Sequence, residues 1–185
     1  MTKLDLMDKV PIQDGIEVSI DGATIKVKGP QGELTRDFYV PAVKIVKEDN
    51  FIVLSVKNAS KKQKMLMKTT KAHIQNMLKG VSTEFVYSLK VCSGHFPMTV
   101  SYDNGEVIVK NFLGESVPRK RKIKTGIKVE IKGNDITVSG LDKEKVGQAA
   151  AAIEAITRMT NRDRRRFQDG IFITKKAGKE IWKVY

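Results

Sequence analysis

Residues 18–33 read VSIDGATIKVKGPQGE, and residues 100–115 read VSYDNGEVIVKNFLGE. Laid over each other with a shift of 82, Val18, Ser19, Asp21, Val27, Lys28, Gly32 and Glu33 meet Val100, Ser101, Asp103, Val109, Lys110, Gly114 and Glu115. Ordered coincidences at constant spacing mark an internal duplication. Within the first copy every second residue is apolar through Ile16, Val18 and Ile20 and again through Ile25 and Val27, across Asp21 and Gly22. That alternation predicts two half-buried strands joined by a tight turn. In the second copy Met98, Val100 and Tyr102 face Val107 and Val109 across Asp103, Asn104 and Gly105. Asn-Gly tolerates positive φ at both central positions, so a hairpin is predicted in the same place.

Outward from these hairpins the register continues with a shift of 84, which sets Asn50, Ile52 and Ser55 over Asn134, Ile136 and Ser139. Further strands are predicted at 43–47 with 51–56 and at 127–132 with 135–139. Each copy then enters a helix-like segment, Ser60 to Gly80 in the first and Asp142 to Thr157 in the second. One face of the first carries Leu66, Thr70, Ile74, Met77, Leu78 and Val81, with Gly80 placed to stop it; His73 lies on the rim of that stripe. The second begins at Asp142 as N-cap and lines up Val146, Ala149, Ala150, Ile153 and Ile156. A helix with one apolar stripe following several short strands predicts an α+β fold. We expect two tandem related domains, 1–82 and 83–185, each a small antiparallel or mixed β-sheet with one helix packed on one face. A doubly wound α/β fold is disfavoured.

The 185 residues, 41% of them hydrophobic, suffice for two real cores. A formal net charge of +13 points to a polyanionic partner, because phosphates relieve the self-repulsion. An anionic membrane surface fails as that partner: neither helix sets a basic face against bulky aromatic residues. No apolar run approaches the roughly 20 residues needed to span a bilayer. Met1 to Lys9 alternates charged and apolar residues without an apolar core or cleavage site, so no secretory signal is read and the chain is expected in the cytoplasm. The single Cys92 agrees with a reducing compartment.

Arginine is unevenly spread. Arg36 is alone before residue 83, whereas Arg119, Arg121, Arg158, Arg162, Arg164, Arg165 and Arg166 all follow it. A guanidinium donates two parallel hydrogen bonds to a phosphate, which makes these the candidate RNA contacts. The first cluster is Arg119, Lys120, Arg121 and Lys122 with Lys124, read as a loop after Pro118; the second runs from Asn161 to Arg166. Lys175, Lys176 and Lys179 would extend the patch. Scarce aromatic residues argue against a binder of single strands that works by base stacking, so recognition should rest on backbone contacts and RNA shape.

Chemistry is sparse. No Gly-x-x-x-x-Gly-Lys-Ser/Thr cradle occurs, and two histidines and one cysteine are too few for an ordinary zinc site, so no cofactor or metal is expected. Cys92 and His95, three residues apart, are the only pair that an RNA-modifying enzyme could use. A cysteine packed as a small hydrophobe is the commoner outcome. A free regulatory RNA-binding module is the third reading.

Five segments in order carry a resemblance: Lys28-Gly29-Pro30-Gln31-Gly32; His73 to Val81; His95-Phe96-Pro97; Asn111-Phe112-Leu113-Gly114-Glu115; and Arg166-Phe167-Gln168-Asp169-Gly170-Ile171. Over essentially its full length the chain resembles the universal large-subunit ribosomal protein six family, numbered nine in eukaryotes. Where bacterial members end in a Pro-Tyr-Lys-Gly-Lys-Gly-Ile segment, this chain has its arginine run from Asn161 to Ile171, which points to the archaeal and eukaryotic branch. The paired tryptophans of many eukaryotic members are missing, which favours an archaeal source. The resemblance implies two related α+β domains and binding of large-subunit rRNA chiefly through the second. It implies a place near the sarcin-ricin loop and the base of the lateral stalk, beside neighbouring ribosomal proteins and transient translation factors. The Gly94 to Pro97 turn, with His95, is added as a contact because it is the family-matching loop that opens the second copy.

Overall fold

The computed structural model describes residues 4–181; Met1 to Lys3 of the N-terminal alternation lie outside them. The chain divides into two compact units, the first ending at Glu84 and the second beginning at Phe85.

In the first unit β1 (Leu4–Pro11), β6 (Phe51–Ala59) and β5 (Lys44–Glu48) form one antiparallel sheet in the order β1-β6-β5. A second sheet joins β2 (Glu17–Asp21), β3 (Thr24–Gly29) and β4 (Gly32–Asp37) in sequence order. Helix α1 (Lys61–Ser82) packs against both. Ser60 caps it: its hydroxyl accepts from the Gln63 N–H while the Gln63 side chain accepts from the Ser60 N–H, a reciprocal box that satisfies two otherwise orphaned donors. Ile25, Val27, Ile52, Leu54, Met67, Ile74 and Val81 form the core. Asp8 ties β1 to the helix through Lys68 (2.7 Å) and Lys71 (3.0 Å).

Two expectations for α1 change. Gly80 does not end the helix, which runs on to Ser82 and closes when the Thr83 N–H donates to the Lys79 carbonyl. The last turn stays helical because Val81 is fully buried and its carbonyl accepts from the Gln31 N–H in the β3–β4 turn. Met67, rather than the half-buried Leu66, fills the first core position, since 67, 70, 74, 77, 78 and 81 continue the 3.6-residue stripe. Half-buried His73 sets its ring against Phe38, with centroids 6.4 Å apart.

The second unit repeats the plan and enlarges it. Strands β8 (Thr99–Asp103), β9 (Glu106–Lys110) and β10 (Arg119–Lys122) form one sheet. A five-stranded sheet runs β11-β12-β7-β13-β14, from Lys128–Lys132, Asp135–Gly140, Phe85–Cys92, Gly170–Lys176 and Lys179–Glu180. Helix α2 (Lys143–Ile156) is capped by Asp142, whose side chain accepts from the Glu144 N–H, and buries Val146, Ala149, Ala150, Ile153 and Ile156. The order β5-β6-β1 in the first unit matches β11-β12-β7 in the second, and β2-β3-β4 matches β8-β9-β10; β13 and β14 are additions. Asn104 and Gly105 take φ of 48° and 80°, as a twisted two-residue hairpin requires.

The fold is α+β as expected, and all the strand pairings described are antiparallel. Each unit nevertheless divides its strands between two sheets instead of one. The β2–β3 and β8–β9 hairpins pair on only with β4 and β10 and so form sheets of their own, whereas β5–β6 and β11–β12 join β1 and β7. The stretch from Arg119 to Lys122, expected as a loop, is β10 and pairs residue by residue with Val109 to Glu106. Valines on β9 supply a buried partner face, and an edge strand accepts alternating cations without burying their charges.

Candidate nucleic-acid interface

Three loops that are remote in sequence meet in the second unit. Asp169, 4% exposed, accepts hydrogen bonds at Oδ1 from the Gly94 and His95 N–H groups and at Oδ2 from the His95 ring, at 2.6 Å. Burial pushes this carboxyl up, but the His95 and Gly94 hydrogen bonds outweigh it and hold Asp169 below the usual carboxylate range. The His95 ring also stacks on the Phe167 ring at 4.9 Å, and the Arg162 guanidinium lies 5.0 Å from the centre of the Phe167 ring. The Asn111 side chain donates to the Pro97 carbonyl, fastening the 111–115 turn to the same assembly.

The loop after α2 has its own scaffold. The Asp163 carbonyl accepts from the Arg166 and Phe167 N–H groups, and its side chain accepts from the Arg165 N–H. This turn leaves Arg164, Arg165 and Arg166 exposed in succession. Arg165 folds back on Asp163, whose carboxyl its hydrogen bonds keep below the ordinary value.

His95, Arg158, Arg164 and Arg166 line a half-open groove of about 1120 Å³, together with Lys90, Phe167 and the exposed alanines Ala151 and Ala155. These four of the candidate residues are therefore brought together. Arg162 adjoins them through Phe167.

The other candidates are placed elsewhere. Strand alternation sends Lys120 and Lys122 to the face opposite Arg119 and Arg121, so the run of four cations makes no single patch. Lys122 reaches Glu106 at 3.7 Å, and Lys124 donates to Gln148. Lys175 pairs with Glu180 on the β13–β14 hairpin, where Lys176 sits opposite Lys179. Arg119 is used inside the unit. Its Nε and Nη2 form a bidentate pair with Glu115, its Nη1 donates to the carbonyls of Ile156 and Arg158, and its guanidinium covers the Phe112 ring at 4.5 Å. These bonds use four of the five N–H donors of the fork, so Arg119 clamps β10 to the end of α2.

The family model of Ribosomal protein L6 matches this chain twice, over residues 12–84 and 96–170. The chain belongs to the ribosomal protein L6 family. Similar proteins include Large ribosomal subunit protein uL6 of Sulfurisphaera tokodaii, 46% identical over 177 residues, or 95% of each chain. The uL6 of Methanobrevibacter smithii is 43% identical over 92% of this chain and 96% of its own. That of Nanoarchaeum equitans is 44% identical over 94% of each chain. These relatives place the chain in the archaeal branch of the L6 family. Its members are structural ribosomal proteins, and the chain is not an enzyme. No helix among the described residues is long and apolar enough to cross a membrane.

Several L6 residues that build this site were not singled out from sequence as functional: Lys90, Ala151, Ala155 and Asp169. Lys90 carried no signal beyond a lone strand cation. The alanines had one, because exposed helix positions ordinarily carry long polar side chains.

Proposed function

We propose that the second unit fixes this chain to folded large-subunit rRNA, with Arg158, Arg162, Arg164 and Arg166 neutralising phosphates and His95 beside them. As a structural ribosomal protein of the L6 family, it takes the role that the names of its relatives state, that of a large-subunit component, and it works in the cytoplasm with the ribosome. The single observation that carries the reading is the Asp169 knot, which holds the 94–97 and 161–169 loops together so that their cations meet at one groove. Arg121, Lys120, Lys122 and Lys124 on the β10 side, and Lys175, Lys176 and Lys179 on the terminal hairpin, extend the positive field. Arg119 acts as a positioning residue. The family resemblance adds a location near the sarcin-ricin loop and the stalk base, within reach of neighbouring ribosomal proteins and transient translation factors. The first unit, with one arginine, serves as a brace.

Replacing Arg164, Arg165 and Arg166 together by Ala should weaken rRNA binding and flatten its salt dependence by about one unit of slope per lost phosphate contact. Arg165, folded onto Asp163, should contribute least of the three. A variant with an unchanged slope, or a wild-type chain that sediments apart from the large subunit in moderate salt, refutes the assignment.

A further inference from the structure

The groove has a composition that backbone contacts with a duplex do not require. Its lining joins an aromatic pair, His95 on Phe167, to Ala151 and Ala155 of α2 and to the cations Lys90, Arg158, Arg164 and Arg166. Ala151 and Ala155 lie one turn apart on the exposed side of α2, opposite the buried stripe from Val146 to Ile156, and Arg158 follows just past the end of the helix. Methyl groups there keep the groove open where longer chains would fill it. Along the part of β13 that β14 does not cover, two outward donors are already engaged: the Ile171 N–H donates to Thr157 Oγ1 at 2.8 Å and the Ile173 N–H to the Glu154 side chain at 3.1 Å. The groove therefore has no need of an added strand to complete the sheet.

A duplex presents phosphates on a convex surface and keeps its base faces stacked inside. An unpaired nucleotide offers a flat π-face and flanking phosphates, which are the complements of a ring pair edged with guanidinium groups. A volume of about 1120 Å³ also exceeds what one base needs. Resting on the rRNA-binding reading above, we propose that this groove captures an unpaired RNA segment. A base packs against the Phe167–His95 pair, and Arg158, Arg164 and Arg166 hold the phosphates on either side. The proposal departs from the expectation, drawn from scarce aromatic residues, against a single-strand binder that works by stacking: two rings suffice when they are already paired in one groove.

The test uses the full chain with a short RNA duplex and the same duplex carrying an unpaired bulge that contains a fluorescent adenine analogue. The wild type should prefer the bulged RNA about ten-fold, as one base–aromatic stack implies, and quench the analogue. Phe167→Leu should lose both the preference and the quenching, and Phe167→Tyr, which keeps a ring there, should retain both. Ala155→Gln, on the exposed face of α2, should lose the preference by filling the groove without altering charge or core. Equal, salt-sensitive binding of both RNAs by the wild type overturns the capture proposal and leaves the rRNA-binding reading standing. Binding of neither RNA overturns both. Preference for poly-glutamate over bulged RNA assigns the groove to an acidic protein segment and overturns the proposal.

Discussion

Replacing Arg119 by Ala distinguishes a clamp from a phosphate contact. The bidentate pair with Glu115 is partly exposed, at 31% and 41% for the two side chains, so it contributes about 0.5 kcal/mol. The charged donors on the Ile156 and Arg158 carbonyls satisfy acceptors at the end of α2 and oppose the negative end of its dipole, which contributes about 1 kcal/mol. Cation–π contact with Phe112, whose ring is 1% exposed, contributes about 0.5 kcal/mol. Arg119→Ala should therefore destabilise the second unit by about 2 kcal/mol, which lowers its melting temperature by roughly 10 °C. Thermal unfolding of the full chain, with hydrogen exchange read on peptides from α2 and β10, locates the loss. Glu115→Gln should cost less, and the double variant should show coupling between the pair. RNA binding measured below the melting transition should keep its salt slope. A variant that melts like the wild type and loses a unit of slope would show that the guanidinium serves RNA and that the clamp is incidental.

Two other substitutions probe the scaffold. A Cβ on Gly29 would stand 2.9 Å from both the carbonyl oxygen and a methyl group of Val81, so Gly29→Ala should destabilise the first unit by about 1–3 kcal/mol, read as a lower urea midpoint with the second unit unaffected. Asp169→Asn should cost about 1–2 kcal/mol at neutral pH by weakening hydrogen bonds to a charged acceptor. The folded-state pKa of Asp169 is depressed, so its stabilisation is full above the ordinary carboxylate value of about 4 and fades as pH falls through the lower folded value. The gap between wild type and variant should accordingly close in acid, and a gap independent of pH refutes the ionised-acceptor account.

The hairpins, the duplication and α2 were legible in the sequence because each rests on a local signal: alternation across Asp21-Gly22 and Asn104-Gly105, and an apolar stripe behind Asp142. The extent of α1 was not. Gly80 looks like a stop until Val81 is seen buried against Gly29, a contact across some fifty residues. Arg119 to Lys122 looked like a loop because four consecutive cations hide the alternation that β9 imposes on them. In the candidate site, charge type pointed to the 161–166 run, but composition does not report which cations are already engaged. Arg119 and Arg158 read alike, and only the fold sends one into Glu115 and the other to the groove. Asp169 was invisible as a functional residue because its partners, Gly94 and His95, lie 75 and 74 positions away.

The placement of β7 at the middle of its sheet has a consequence for biosynthesis. This strand is the first of the second unit to be made, yet one of its two neighbours, β13, begins only at Gly170. A growing chain can complete the first unit once Ser82 has emerged, while β7 stays without one neighbour until β13 has emerged as well. The loops that Asp169 draws together come into register in that same final step. On the proposed reading, a chain in which β13 has not yet been made lacks the assembled groove.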